Sequence, residues 1–158
     1  MYKGKVGIAN RVVNDMSGKV AGVNPEPTTR VWLNGTFDVL HAGHTHLFQH
    51  AKKLFPNTHV CVGVDDDERV AQLKGNGRPI NNIHNRIKVL SSIRYIDKIV
   101  VFGSDDELRA EICAYNPHIM VIGDDYRGRT IIGEEFIPRV EYVERYNGLS
   151  STKIVNGG

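Results

Sequence analysis

The chain is short of cysteine, of tryptophan, of long apolar runs and of net charge. Each shortage removes a class of protein. Two cysteines, Cys61 and Cys113, lie far apart, which gives neither a disulfide framework nor a cysteine-based metal spacing. A reducing cytosol fits that usage. No run approaches the roughly 18 apolar residues of a membrane-spanning helix. The opening MYKGKVGIANRVVNDM lacks the apolar core of a signal peptide, so a cytoplasmic location is expected. A net charge of +2, with histidines neutral, is too mild to indicate nucleic acid or an anionic membrane as a partner. The glycines at 75–77 (GNG) form neither a dinucleotide fingerprint nor a Walker loop.

What remains is an ordinary globular composition. The 158 residues are 41% apolar and 24% charged, enough for one domain with a real core. Residues 1–29 stand apart: they hold Gly4, Gly7, Gly18, Gly22, Pro25 and Pro27 with little periodicity. They read as an N-terminal extension with room for a short strand, followed by a compact domain over 30–158.

Within that domain short apolar runs alternate with helical patterns. Strands are expected at 31–33, 60–64, 99–102, 119–122 and 140–143. Leu47, Ala51, Leu54 and Phe55 make one stripe of a helix over 44–55. Ile83, Ile87, Leu90 and Ile93 or Arg94 make another; Leu108, Ile112 and Tyr115 a third; a short helix opens at Ser150. Strands alternating with helices imply an α/β fold: a Rossmann-like, doubly wound sheet of about five parallel strands with helices on both faces. Ligands in such sheets bind beyond the carboxyl ends of the strands. The segments there are 34–44, 65–78, 123–129 and 144–152, and they hold most of the unusual chemistry.

The first of them, NGTFDVLHAGH, sets His41 and His44 three residues apart around Gly43. Spacing alone leaves three readings open. The histidines could cap and pack a helix start. With His46 and His50 they could form a metal cluster, although no carboxylate or cysteine completes a pattern such as HExxH. Or they could add donors to a helix N-terminus that holds phosphate. Gly35 leaves backbone open to a ligand, and Thr36 and Asp38 have turn or capping roles.

Four ordered segments then resemble one family. GTFD with HAGH is similar to the GTFDxxHxGH signature of the cytidylyltransferases in the nucleotidyltransferase superfamily. Ile93–Asp97 (IRYID) resembles their RYVD segment, Gly123–Tyr126 (GDDY) their GDDW segment, and Arg145–Thr152 (RYNGLSST) their RTEGISTT signature. A second resemblance, to the nucleotidyl-transfer domain of ADP-heptose synthase, lies in Leu73-Lys74-Gly75, in Gly77–Asn81 (GRPIN), in Asn34 and in Ile132-Gly133-Glu134.

The resemblance implies joining of a nucleoside triphosphate to a phosphorylated small molecule, with release of pyrophosphate and no covalent enzyme intermediate. His41, His44, Lys74 and Arg145 are then the catalytic phosphate-binding set. Gly35, Thr36, Phe37, Asp124, Gly148, Ser150, Ser151 and Thr152 complete the nucleotide site. Asp38, Arg78 and Arg94 are expected at the acceptor. Arg86 aligns with another family arginine, though a salt-bridged helix position explains it equally. Mg²⁺ is implied as a companion of the triphosphate, with no protein side chain assigned to it. A homodimer is the family's usual state. Within the family, CTP and a polyol phosphate such as glycerol 3-phosphate are the first expectation. ATP and a sugar 1-phosphate are the alternative, and a nucleotide-binding module without turnover is a third reading.

Overall fold

A computed structural model describes residues 27–157; the expected N-terminal extension falls almost wholly outside them. Five strands, β1 (Thr29–Gly35), β2 (Thr58–Asp65), β3 (Lys98–Phe102), β4 (Ile119–Gly123) and β5 (Arg139–Val143), form one sheet. Its order is β3-β2-β1-β4-β5 and every neighbouring pair is parallel. Order reverses between β1 and β4, so a crevice opens where their carboxyl ends diverge.

Both sheet faces are covered, which is why the central strand β1 reads as a continuous apolar run, while the edge strand β5 (RVEYV) is only partly buried. Val31, Trp32 and Leu33 are successive residues of β1 and all are buried. Val31 and Leu33 pack with α1 (Ala42–Lys53) and α3 (Ile83–Leu90). Trp32 packs on the other face with α4 (Asp105–Tyr115) through Leu108 and Ile112. Gly63, opposite Asn34 in the register, makes space for the indole: a Cβ there would lie 2.6 Å from Trp32 Cζ2.

Three expectations need correction. Residues 65–78 contain a helix, α2 (Asp67–Lys74), instead of loop. It buries only Val70, so its apolar stripe is too small for a periodicity reading. It forms because Asp66 caps Arg69 N and Asp67 and Glu68 occupy the positive first turn. The buried face of α1 centres on Gly43, Phe48 and Ala51, while Phe55 lies beyond the helix end and is 41% exposed. Helix α3 stops at Leu90, before Ile93 and Arg94.

Polar pins then fix the loops at the carboxyl edge. Arg86, fully buried on α3, donates Nη1 to the carbonyls of Thr36 (2.8 Å) and Asp65 (2.6 Å), at the ends of β1 and β2. Its Nε reaches Asn81 O and its Nη2 reaches Asp67 Oδ1. One guanidinium therefore ties two strand ends to the start of α2, and Arg86 is a structural tie.

Candidate active site

A cleft of about 700 Å³ lies over the carboxyl ends of the strands, a size suited to a nucleotide-sized ligand. All four segments singled out from the sequence contribute to its wall.

His41 is the N-cap of α1, in extended backbone, and its Nδ1 accepts Gly43 N at 3.1 Å. His44, at the third helical position, returns the bond: its Nδ1 accepts His41 N at 3.2 Å. This is a capping box built from two imidazoles in place of a serine and a glutamate. Gly43 is required for it, since a Cβ would lie 2.8 Å from His41 Cε1. The rings stack with centroids 3.9 Å apart.

The caps decide the protonation chemistry. A nitrogen that accepts an N–H carries no proton, so each neutral ring holds its proton on Nε2. Burial lowers the His41 pKa, with Arg145 adding to it. Burial, then His41 and Lys74, pushes His44 down to about 3. The positive end of α1 opposes imidazolium in the same sense. Two neutral imidazoles thus present Nε2–H donors at the cleft.

Other cations and donors converge there. Lys74 is the last residue of α2, released by Gly75 in a positive-φ turn (φ 91°). It is exposed on the cleft wall. Arg145 lies across the cleft, with Nη2 2.8 Å from Asp125 Oδ2. Asn147 and Gly148 both have positive φ and turn the chain into α5 (Ser151–Val155). Gly148 shapes that turn and does not line the cleft. Ser150 caps Lys153 N, and Ser151 Oγ donates to Val39 O at 2.9 Å, tying α5 to the loop before His41. Ser150, Ser151 and Thr152 line the cleft.

Thr36 and Phe37 also line it, but Phe37 is mostly core, at positive φ, with its ring edge on His44. Gly35 is a glycine for that ring as much as for a ligand: a Cβ would sit 3.2 Å from Phe37 Cζ.

Besides Gly148, four more expected site residues lie elsewhere. The Asp38 side chain is fully buried and pins residues 78–81, accepting from Arg78 Nε, Ile80 N and Asn81 N at 2.8–2.9 Å. Burial raises its pKa, but the two backbone N–H groups and Arg78 outweigh that and hold it below the usual carboxylate range. Arg78 is committed to Asp38 and is not on the cleft wall. Asp124 begins a 3₁₀ turn; its neighbour Asp125 faces the cleft instead. Arg94 lies on Tyr95, before β3 begins, and so at the amino edge of the sheet, opposite the cleft. The same segment's Asp97 binds Lys52 Nζ and Val60 N, which makes IRYID a clamp of that edge.

The histidine cluster does not assemble as a metal site. His46 lies against Tyr146 and His50 is 3.5 Å from Glu141. Among the described residues no group of three metal-ligating side chains forms.

Cleft residues that motif reading missed include Asn34 for its side chain, Asp65, Arg69, Tyr126 and Glu144. Their positions at strand ends were the available signal; which of them face inward depends on strand alternation and helix phase.

A doubly wound sheet with an imidazole-capped helix and converging cations defines a nucleotide-handling α/β protein of the nucleotidyltransferase kind. The sequence profile of the cytidylyltransferase-like family matches residues 32–157, and the chain belongs to that family of nucleotidyltransferases. Among curated proteins it is 38% identical over 128 residues to the bifunctional protein HldE of Campylobacter fetus subsp. fetus, covering 81% of this chain and 27% of that one. It is 38% identical over 126 residues to HldE of Wolinella succinogenes, covering 79% and 26%. The chain thus spans about a quarter of the length of these relatives. Among solved structures it is similar to the lipopolysaccharide core biosynthesis protein from Thermoplasma volcanium GSS1, with TM-score 0.54, 25% identity, and coverage of 75% of this chain and 96% of that one. Among the described residues no helix is long and apolar enough to cross a membrane.

Proposed function

We propose that this domain transfers an adenylyl group from ATP to a sugar 1-phosphate and releases pyrophosphate. One observation carries the transfer chemistry: two stacked, neutral imidazoles, each locked by a backbone N–H into its Nε2–H tautomer at a helix N-terminus. In the reaction an oxygen of the sugar phosphate attacks the α-phosphorus in line. The bond from that phosphorus to the α–β bridging oxygen breaks, and pyrophosphate leaves with the electron pair. Charge builds on phosphate oxygens, where fixed donors act without reorganising. His41 and His44 supply two such donors; Lys74, Arg145 and the first N–H groups of α5 supply the rest. Lys74 is a point charge at a helix end and can follow the phosphates. Mg²⁺ enters as part of the nucleotide substrate, held by phosphate oxygens.

The choice of ATP and a sugar 1-phosphate over CTP and glycerol 3-phosphate is supported by the HldE relatives and by the likeness to a lipopolysaccharide core biosynthesis protein. The LKG and GRPIN segments that resemble ADP-heptose synthase agree with it. Of the three features that favour the cytidylyl reading, Arg145 lines the cleft, whereas Arg94 of IRYID lies at the far edge of the sheet and Asp124 of GDD is off the cleft wall.

A pyrophosphate-release screen tests the proposal. ATP and CTP are each paired with heptose 1-phosphate and with glycerol 3-phosphate. Release with ATP and the sugar phosphate is expected; release confined to CTP and glycerol 3-phosphate would overturn the choice. In the His44→Ala variant release is expected to fall by on the order of 10²–10³ while nucleotide still binds. No release by the wild type with any pair would leave a binding module.

A further inference from the structure

The cleft has a second wall that phosphate chemistry does not use. It lies on the Trp32 face of the sheet, away from the His41–His44 pair. Trp32, buried there, donates its indole N–H to Asn34 Oδ1 at 2.9 Å. That bond fixes the amide: Oδ1 points to the indole, and Nδ2 is left as a donor pair on an exposed, cleft-lining side chain. Asn34 pairs with Gly63 in the register, so Asp65, two residues on, projects from the same face. The two Cα atoms are then about 8 Å apart on the diagonal, from ordinary strand spacings.

Asp65 is unusual. Its side chain is 7% exposed and lines the cleft. Arg69 Nε holds Oδ1 at 2.6 Å, while Oδ2 has no hydrogen bond among the described residues. Arg69 is itself fixed, with Nη2 2.7 Å from Asp105 Oδ1 and its guanidinium over the Phe102 ring. Burial raises the Asp65 pKa against the pull of Arg69, the mark of a carboxylate short of donors. Leu108, packed in the Trp32 cluster, is an apolar residue of the same cleft lining.

We infer that Asn34 and Asp65, held by Trp32 and Arg69, form the subsite that recognises the hydroxyls of the acceptor sugar. A polyhydroxylated ring offers both donors and acceptors on neighbouring carbons, and C–H faces between them. Asp65 Oδ2 accepts one hydroxyl, Asn34 Nδ2 donates to another, and Leu108 meets the ring face. A triphosphate, all acceptor and anionic, would be repelled by Asp65. An open-chain acceptor with only two hydroxyls would fill the wall poorly. The inference rests on the sugar 1-phosphate reading, and it names the residues that distinguish one sugar from another.

Trp32 is the sole tryptophan of the chain and sits one hydrogen bond from the subsite, so its emission reports binding without turnover. Heptose 1-phosphate titrated into the wild type should change Trp32 emission saturably, and inorganic phosphate at equal concentration should not. Asn34→Ala and Asp65→Asn, first checked for native urea unfolding, should each weaken the sugar phosphate about tenfold or more. In turnover they should raise KM for the sugar phosphate by a similar factor, with KM for ATP within about twofold. Asn34 is exposed, so its variant keeps the test alive if Asp65→Asn folds poorly. Identical emission responses to heptose 1-phosphate and inorganic phosphate would overturn the inference. So would variants that weaken ATP and spare the sugar phosphate. Binding seen by Trp32 without adenylyl transfer would sink the proposed reaction alone and leave the subsite standing.

Discussion

Lowering the pH should unfold this protein through His44, and the cap geometry sets how much. In the folded free protein His44 Nδ1 is occupied by His41 N–H, and burial with two nearby cationic or titratable groups pushes the pKa to about 3. Unfolded, the same imidazole titrates near 6.5. Between those values the unfolded chain binds a proton that the folded one refuses. Stability therefore rises with pH across the window and is lost as pH falls from about 6.5 toward 3. Integrated over the window, the loss is on the order of 5 kcal/mol, a large fraction of a small domain's total. His41, whose pKa is also depressed, adds to it with the same sign.

The assay is urea unfolding of wild type and His44→Asn at a series of pH values. Asparagine Oδ1 keeps an acceptor for His41 N–H and cannot titrate, while the carboxylates common to both proteins cancel in the difference. The wild-type curve should fall below that of the variant progressively under pH 6. Long-range ¹⁵N correlation spectra should show Nε2–H tautomers for both rings at pH 7. Equal slopes for the two proteins, an ordinary titration of His44 near 6.5, or an Nδ1–H tautomer would each refute the reasoning.

Two further outcomes follow from packing. Gly43→Ala forces a methyl against the His41 ring, so the capping box opens; pyrophosphate release should drop at least tenfold while circular dichroism of the sheet is retained. Arg86→Met leaves the Thr36, Asp65 and Asn81 carbonyls without their guanidinium donor, and should cost about 3–5 kcal/mol in chemical denaturation; an effect under about 1 kcal/mol would show that water replaces it.

Strands β1 to β4 were legible because each is a short, mostly apolar run that the sheet buries, and helices α1, α3 and α4 because each buries more than one apolar position of a stripe. Helix α2 was not: with Val70 alone buried, caps and charges form it, and those signals are shared with turns. The loops at the carboxyl edge were found from order along the chain, and the HAGH, LKG and SST segments do reach one cleft.

Local sequence determined the imidazole capping box, since both of its bonds close within four residues and need only Gly43 between them. Long-range contacts decided the rest. Asp38 and Arg78 were expected at the acceptor, yet they bind each other, because a buried carboxylate needs its donors nearby. Arg94 sits in a familiar segment at the wrong end of a strand. Asp65, Arg69 and Asn34 gained their place in the cleft from strand register and helix phase. Those depend on which strands pair and in what order, and that is set only when the whole sheet buries both of its faces.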